Sequence, residues 1–424
     1  MKNGRNIGFV SFRFAGTDGV SLETFKWAEV LKRRGFKCFY MAGELETPED
    51  NSFLVPETHF MHPKIREMHH MSFDNTFRPK TLTDMIHDYR IMLKKKIYEF
   101  IKKFNIDLLI PENAITIPLN IPLGLAITEV IAETGISTIA HHHDFFWERK
   151  RFLTNCVWDY LNSAFPPRLS TMAHVVINSS GRNQLALRTG ASATLIPNVM
   201  EFEQAPHGVD DYSSDVRKEL GIPEDAIFVL QPTRVVQRKG IEHAIELVRR
   251  LGEKAVLVIS HASGDEGYQY QNRVKSYAEL LNVNTIFAQD RIDYKRGINK
   301  EGKKVYTLND IYDNADFITY PSIFEGFGNA FLEAIYHKKP ILVNNYSIYA
   351  FDIKPKGFKV VEMNDFISDE TVEHTKKVLE DEQYRKDMVE TNYMLGLKHF
   401  SYHVLDTNIR TIITSLWGKT AFYE

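Results

Sequence analysis

Two cysteines in 424 residues are too few for a disulfide framework. Cys38 and Cys156 both sit in apolar contexts and read as buried thiols of a reducing, cytoplasmic compartment. No window approaches the ~18 consecutive apolar residues that a membrane span needs. The most apolar stretch, residues 115–131, is broken by Pro118, Asn120, Pro122 and Glu129. The N-terminus runs into a short strand pattern and not into the apolar core of a secretory signal. With a net charge of −3 and no long basic run, nothing favours nucleic acid as a partner. An Asp-x-Asp pair is missing as well, which removes the usual clustered oxygen ligands for a divalent ion on a diphosphate. No internal repeat appears, which sets aside solenoids and propellers.

What remains is an ordinary globular composition over a chain too long for one core, so two domains of about 200 residues are expected. Strand and helix patterns alternate from the start. An apolar run at 7–12 precedes a helix over 21–34, and a second strand follows over 37–42. This β-α-β unit implies a parallel sheet. Residues 44–80, with four prolines, read as irregular. Further strands are expected at 107–110, 138–141, 175–178 and 194–196, with helices over 84–103, 119–134 and 181–189. A polar cluster over 198–215 reads as a linker. The alternation then restarts, with strands at 226–231, 255–260, 284–288, 317–320 and 340–344. The spacing places the first domain at 1–205, the second at 206–400 and a terminal helix within 401–424. In that helix Leu405, Ile409, Ile412, Ile413 and Leu416 form one apolar packing face.

The densest chemistry lies in residues 320–336, where a buried strand ends at Pro321 and a helix begins near Asn329. Glu325, the turn Gly326-Phe327-Gly328 and Glu333 follow in order. A glycine turn feeding a helix N-terminus turns backbone N–H groups and positive dipole toward a ligand, which suits phosphate. The two acids can accept hydrogen bonds from sugar hydroxyls, so the segment reads as a holder for a sugar nucleotide. Upstream, Arg234 and Lys239 lie between a strand and a helix, within reach of a diphosphate. Gly16 and Gly19 occupy the first strand–helix loop, where backbone can approach a phosphate or sugar. His141, His142 and His143, followed by Asp144, end a first-half strand. Consecutive residues of an extended segment face alternate sides, so the three histidines cannot share one ion, and no metal site is expected. Glu148 and Arg149 follow, as an acceptor-binding pair or a surface salt bridge.

Together these residues resemble family 4 of the retaining GT-B glycosyltransferases. The resemblance runs over nearly the whole chain and is strongest over 227–345. It rests on Pro321-Ser322-x-x-Glu325-Gly326-Phe327-Gly328-x-x-x-Leu332-Glu333-Ala334, and on Arg234 with Lys239 ahead of a helix. It implies two doubly wound Rossmann-like α/β domains facing a central cleft, with the last helix crossing back to the first domain. It implies Glu325 at the donor sugar, Glu333 at the nucleotide ribose, and a first-domain histidine at the donor. Where family members often carry one histidine this chain has three, which leaves His142 or His143 for that role; His143 is preferred because Asp144 leads into the following aromatic segment.

The first loop, the His-His-His-Asp segment and residues 196–200 are similar to a narrower branch, the mannosylglucosylglycerate synthases, which make small soluble glycosides. The implied activity is retaining transfer of a hexose from a nucleoside-diphosphate sugar, of GDP-mannose or UDP-glucose type, to a hydroxyl of a small soluble acceptor. No further cofactor is expected, since cations and helix ends would meet the diphosphate charge. A nucleotide-sugar epimerase or phosphorylase of this architecture, or a non-catalytic binder, are the alternatives. The sequence leaves assembly into a homo-oligomer open.

Overall fold

A computed structural model describes residues 5–16, 18–263 and 267–418. Thr17 of the first loop lies outside them. The chain divides into two compact units, Met1–Asn198 with Tyr402–Glu424, and Val199–Ser401.

In the first unit seven parallel strands run β1 (Asn6–Val10), β2 (Lys37–Ala42), β3 (Ser52–Leu54), β4 (Leu108–Pro111), β5 (Ser137–His142), β6 (Met172–Val176) and β7 (Ala193–Leu195). Their spatial order is β3-β2-β1-β4-β5-β6-β7. The order reverses direction between β1 and β4, and the carboxyl ends of strands at such a reversal are where open α/β sheets bind ligands. The helix Lys80–Phe104 sets Leu93, Ile97 and Phe100 into the core shared with Leu123, Ile127 and Val130 of the helix Ile121–Thr134. Arg90 and Lys94 pair across the same helices with Glu129.

The expectation of irregular chain over 44–80 is overturned. It contains β3 and a helix, Pro63–Ser72. Pro63 starts that helix, since proline at the first position gives up an N–H that has no partner there anyway. Ile65, Met68 and Ser72, three and four residues apart, form its buried face. Of the two thiols, Cys38 is buried, which pushes it up to about 12 and leaves it inert, whereas Cys156 is only half-buried.

The second unit holds β8 (Ile227–Gln231), β9 (Ala255–Ile259), β10 (Thr285–Phe287), a small hairpin of β11 (Gly297–Ile298) and β12 (Lys304–Val305), then β13 (Phe317–Tyr320), β14 (Ile341–Asn344) and β15 (Val361–Met363). Six strands form one parallel sheet in the order β10-β9-β8-β13-β14-β15, with its reversal between β8 and β13. All five side chains of β9 are buried, as expected of a strand covered on both faces. The helix Ile241–Leu251 buries Ile241, Ala244, Ile245 and Val248 against it, each large apolar side chain contributing about 1.5–3 kcal/mol. At the edges of this unit the Met200 N–H donates to the Phe400 carbonyl at 2.9 Å.

Helix Tyr402–Trp417 belongs to the first unit and buries Leu405, Ile409, Ile412 and Ile413, the face read from sequence. Asp406 pairs with Arg34, Arg5 lies over the Trp417 ring at 4.3 Å, and the Trp417 indole donates to the Ser137 hydroxyl. Among the described residues no helix is long and apolar enough to cross a membrane.

Candidate functional site

The strand–turn–helix read from sequence is present: β13 ends at Tyr320, and the helix Asn329–Tyr336 follows the glycine turn. Glu325 is held from two sides. Lys239 Nζ donates to Oε1 at 2.5 Å and Arg238 Nη1 to Oε2 at 2.7 Å. Burial alone would push the Glu325 carboxyl up, but the charges of Lys239 and Arg238 outweigh it and hold it below the usual range. Burial is also the largest influence on Lys239, whose ammonium ends lower than usual despite Glu325. The ammonium expected at a diphosphate is thus spent first on Glu325. Arg234 is exposed, and no described side chain pairs with its guanidinium, so it carries the free cation of this loop. Its charge and that of Lys239 reach His261, which is pulled down to about 4 by burial first and those cations second.

Two glycines make this packing possible. Gly240 has φ +59, and a Cβ there would lie 2.6 Å from the Pro321 carbonyl oxygen. The close approach lays the Arg238–Lys239 turn on the loop that carries Glu325, and the Ile323 N–H donates to the Arg238 carbonyl at 2.8 Å. Gly328 has φ +131, and a Cβ there would lie 2.5 Å from the Tyr346 hydroxyl, which donates to the Phe327 carbonyl. Phe327 is buried against Phe400. Gly326 is exposed, and Asn329 opens the helix behind Gly328. Glu333, half-buried one turn in, accepts from the Tyr312 hydroxyl at 3.0 Å, and Tyr312 is stacked on His337.

The first-unit glycine loop is built differently from the expectation. The Gly16 N–H already donates to the Glu46 carboxylate at 2.9 Å. Gly19 opens the helix Gly19–Arg33, but the Asp18 carboxylate caps it by accepting from the Val20 and Ser21 N–H groups. Among the described residues of this loop, two acids therefore hold the Gly16, Val20 and Ser21 amides that a phosphate would need.

The three histidines alternate as extended chain requires. His142 faces one side, bonded to Thr116 Oγ1 at 2.5 Å and to His174 at 2.9 Å. His141 and His143 face the other and converge on Glu112, which follows β4. Glu112 Oε2 lies 2.9 Å from His141 Nδ1 and 3.1 Å from His143 Nε2. Burial would push the Glu112 carboxyl up, yet the two imidazoles hold it down. Of the pair left open by the sequence, His142 is spent on its own neighbours and is fully buried, while His143 keeps 9% of its surface. The ligand atoms of Glu112, His141 and His143 lie within 4.8 Å of one another, a spacing a cation can also use. Metal-bound imidazoles nearly always have their second nitrogen on a carboxylate or carbonyl. His141 Nε2 is buried with no partner, so the trio reads as a hydrogen-bonded network.

Glu148 and Arg149 do not pair with each other. Glu148 accepts the Phe145 N–H, and Arg149 holds Asp144, which in turn accepts from Asn113. Glu112 was missed from sequence because it lies alone, 29 positions before the nearer histidine, with no motif spacing. Arg238 directly precedes Lys239, but only its contact with Glu325 separates it from Arg234.

The buried histidines make a prediction for stability. His69 and His174 are pushed down to about 4 by burial, and His142 well below its ordinary value, from 6.5. Their folded pKa is depressed, so the unfolded chain takes up protons first as pH falls. Stability is therefore complete above about pH 6.5 and is lost toward pH 4, by roughly 3 kcal/mol for His174 alone. Calorimetry between pH 7.5 and 4.5 should show Tm falling steadily below 6.5; a flat Tm down to pH 5 would contradict it.

The family model described as glycosyl transferases group 1 matches residues 213–394. The mannosylglucosylglycerate synthase of Petrotoga mobilis is 34% identical over 386 residues, spanning 84% of this chain and 86% of that protein. The enzyme of the same name from Thermotoga maritima is 30% identical, spanning 94% and 97%. Among solved structures, a glycosyltransferase from Rickettsia africae superposes with TM-score 0.67 at 14% identity, covering 98% of this chain and all of that one. The Anabaena protein HepE in complex with UDP-glucose superposes with TM-score 0.64 at 11% identity, covering 97% and 99%. At these identities the structural likeness speaks for the fold alone.

Proposed function

Since this chain belongs to the group 1 glycosyl transferases, family 4 of the GT-B glycosyltransferases, we propose that it moves mannose or glucose, with retention, from GDP-mannose or a UDP-glucose-type donor to a hydroxyl of a glycosylglycerate. Transfer of a hexose from a nucleoside-diphosphate sugar to a small acceptor is the activity of the family branch it matches. The observation that carries the finer reading is Glu325, half-buried in the loop after β13 and clamped between Lys239 and Arg238.

A carboxylate held ionised and immobile is suited to fix sugar hydroxyls, and it needs no reorganisation as the anomeric bond breaks. In that step the bond between the anomeric carbon and the diphosphate oxygen opens, and the leaving diphosphate gains negative charge. Arg234, the Lys239 ammonium and the positive end of the helix dipole at Asn329 are the groups suited to meet that charge. The acceptor hydroxyl forms the new bond on the same face, and its proton passes to the departing phosphate, so no separate protein base is required. His143 is the first-unit group proposed to meet the transferred sugar. The Gly16 and Gly19 loop is not given a phosphate role, because Glu46 holds the Gly16 amide and Asp18 those of Val20 and Ser21. Glu333, oriented by Tyr312, is placed at the ribose.

Incubation with GDP-mannose and UDP-glucose, each with glucosylglycerate, tests the reading. The expected product carries the donor's anomeric configuration by NMR; donor consumed without any acceptor, to give an isomerised nucleotide sugar, would favour the epimerase alternative instead. Glu333→Ala should raise the donor KM roughly 10- to 100-fold with a much smaller change in kcat, because one lost charged hydrogen bond is worth ~1.5–3 kcal/mol of binding. An unchanged KM removes Glu333 from the ribose.

A further inference from the structure

Glu112 is among the buried ionisable groups of the first unit that the mechanism above leaves without a task. Glu112 is fully buried, and its neighbours come from three elements. His141 on β5 donates through Nδ1 to Oε2, and Trp27 of the helix Gly19–Arg33 packs on the His141 ring at 4.4 Å. From the same helix Glu23 faces His143, with Lys26 3.1 Å from the Glu23 carboxylate. Beyond β5, Asp144 faces His143 and is itself paired with Arg149. Burying a carboxylate costs several kcal/mol unless its hydrogen bonds compensate, so this arrangement is not a neutral filler of the core.

We propose that Glu112 is a positioning residue for sugar transfer: anchored by His141, it holds His143 by Nε2–H and turns Nδ1 of that ring outward as the hydrogen-bonding face offered to the transferred sugar. The proposal rests on the reading that His143 meets that sugar. Nδ1 of His143 makes no hydrogen bond among the described residues and is not one of the buried atoms lacking a partner, so it reaches the surface. The His143 main-chain N–H is tied to Asn113 Oδ1 at 3.1 Å, which fixes the ring's base as Glu112 fixes its far end. A carboxylate only accepts, so the proton on Nε2 is assured. Neutral His143 then presents a lone pair at Nδ1, and charged His143 presents an N–H at the same point. Burial would pull His143 down, but its hydrogen bond to Glu112 and the charges of Glu112, Glu23 and Asp144 outweigh it and raise it. Glu112 therefore sets both where the ring points and how it is protonated.

Glu112→Gln keeps the side-chain shape and removes the charge. NMR titration of the His143 imidazole in the full-length protein should show its pKa lowered by one unit or more in the variant. An unchanged titration overturns the role of Glu112, whatever the activity. In the same variant kcat should fall roughly 10- to 100-fold, as for a misoriented reacting group, with the donor KM little changed and the acidic limb of the pH–rate profile displaced with the NMR value. If the titration moves and the rate and profile do not, Glu112 controls His143 but His143 does not serve the sugar, and that earlier reading fails instead. Glu112→Asp, shorter by one methylene with the charge kept, should restore the His143 titration in part, and serves as the second variant should the glutamine form unfold. A stoichiometric divalent ion that co-purifies with the wild type and is lost in Glu112→Gln would overturn the hydrogen-bonded arrangement itself.

Discussion

Replacing Glu325 by glutamine should lower kcat by about 10²–10³-fold, the loss seen when one preorganised electrostatic group is removed from a reacting centre. The side chain keeps its volume, so the turn should hold. What disappears is the charge that Lys239 and Arg238 jointly fix. Lys239→Ala should be as harmful to turnover and worse for the fold. It strips one cation from a buried carboxylate, and breaking such a pair costs about 3–5 kcal/mol, moderated here because Arg238 still holds Oε2. The double variant Glu325→Gln with Lys239→Met should recover stability without recovering turnover. The sign with pH is also set. The folded pKa of Glu325 is depressed, so its contribution is present above its ordinary value of 4.5 and lost as pH falls through the lower folded value. Turnover of Glu325→Gln within threefold of wild type, with Tm unchanged, would remove Glu325 from the site.

Gly240→Ala should cost about 10²-fold in turnover, although it touches no substrate. The new Cβ would stand 2.6 Å from the Pro321 carbonyl oxygen, a backbone atom that cannot swing aside. Relief requires the Arg238–Lys239 turn to lift off the Glu325 loop, and displacement by ~1 Å at a reacting group carries that size of penalty. The left-handed backbone adds about 1–2 kcal/mol of its own. Gly221→Ala separates the two effects: its φ is +74, yet nothing lies within 4 Å of its Cβ. It should lower Tm by a similar backbone increment and leave turnover intact. Equal turnover losses in both variants would mean that backbone strain, and not the contact with Pro321, governs the site.

The parallel architecture was legible because alternating strand and helix patterns report burial directly, as in β9 and the helix Ile241–Leu251. The segment around Glu325 was legible because its chemistry is contiguous, with strand, turn and helix in one run of chain. The contacts between runs were not. Nothing in the order of residues shows that Lys239 reaches Glu325 before any phosphate, or that Glu46 reaches Gly16 from 30 residues away. Asp18 stood in plain view, but a glycine-flanked loop and a capped helix start look alike until the carboxylate is seen on the Val20 and Ser21 amides. Glu112 gave no periodic signal, because a single acid after a strand is as common in solvent as in a network. The helix at Pro63–Ser72 was hidden because proline was read as a breaker where it acts as a starter.

The hydrogen bond from Met200 to Phe400 joins the first and last turns of chain in the Val199–Ser401 unit. That unit is thus topologically an insert whose two ends meet, spliced into a host whose own chain resumes at Tyr402. Segments with adjoining ends are the ones that tolerate excision and transplantation. The unit proposed to hold the nucleotide sugar can accordingly be treated as an exchangeable cassette: swapped between relatives at 199 and 401, it should carry donor preference with it and leave the first unit's sheet and closing helix uninterrupted.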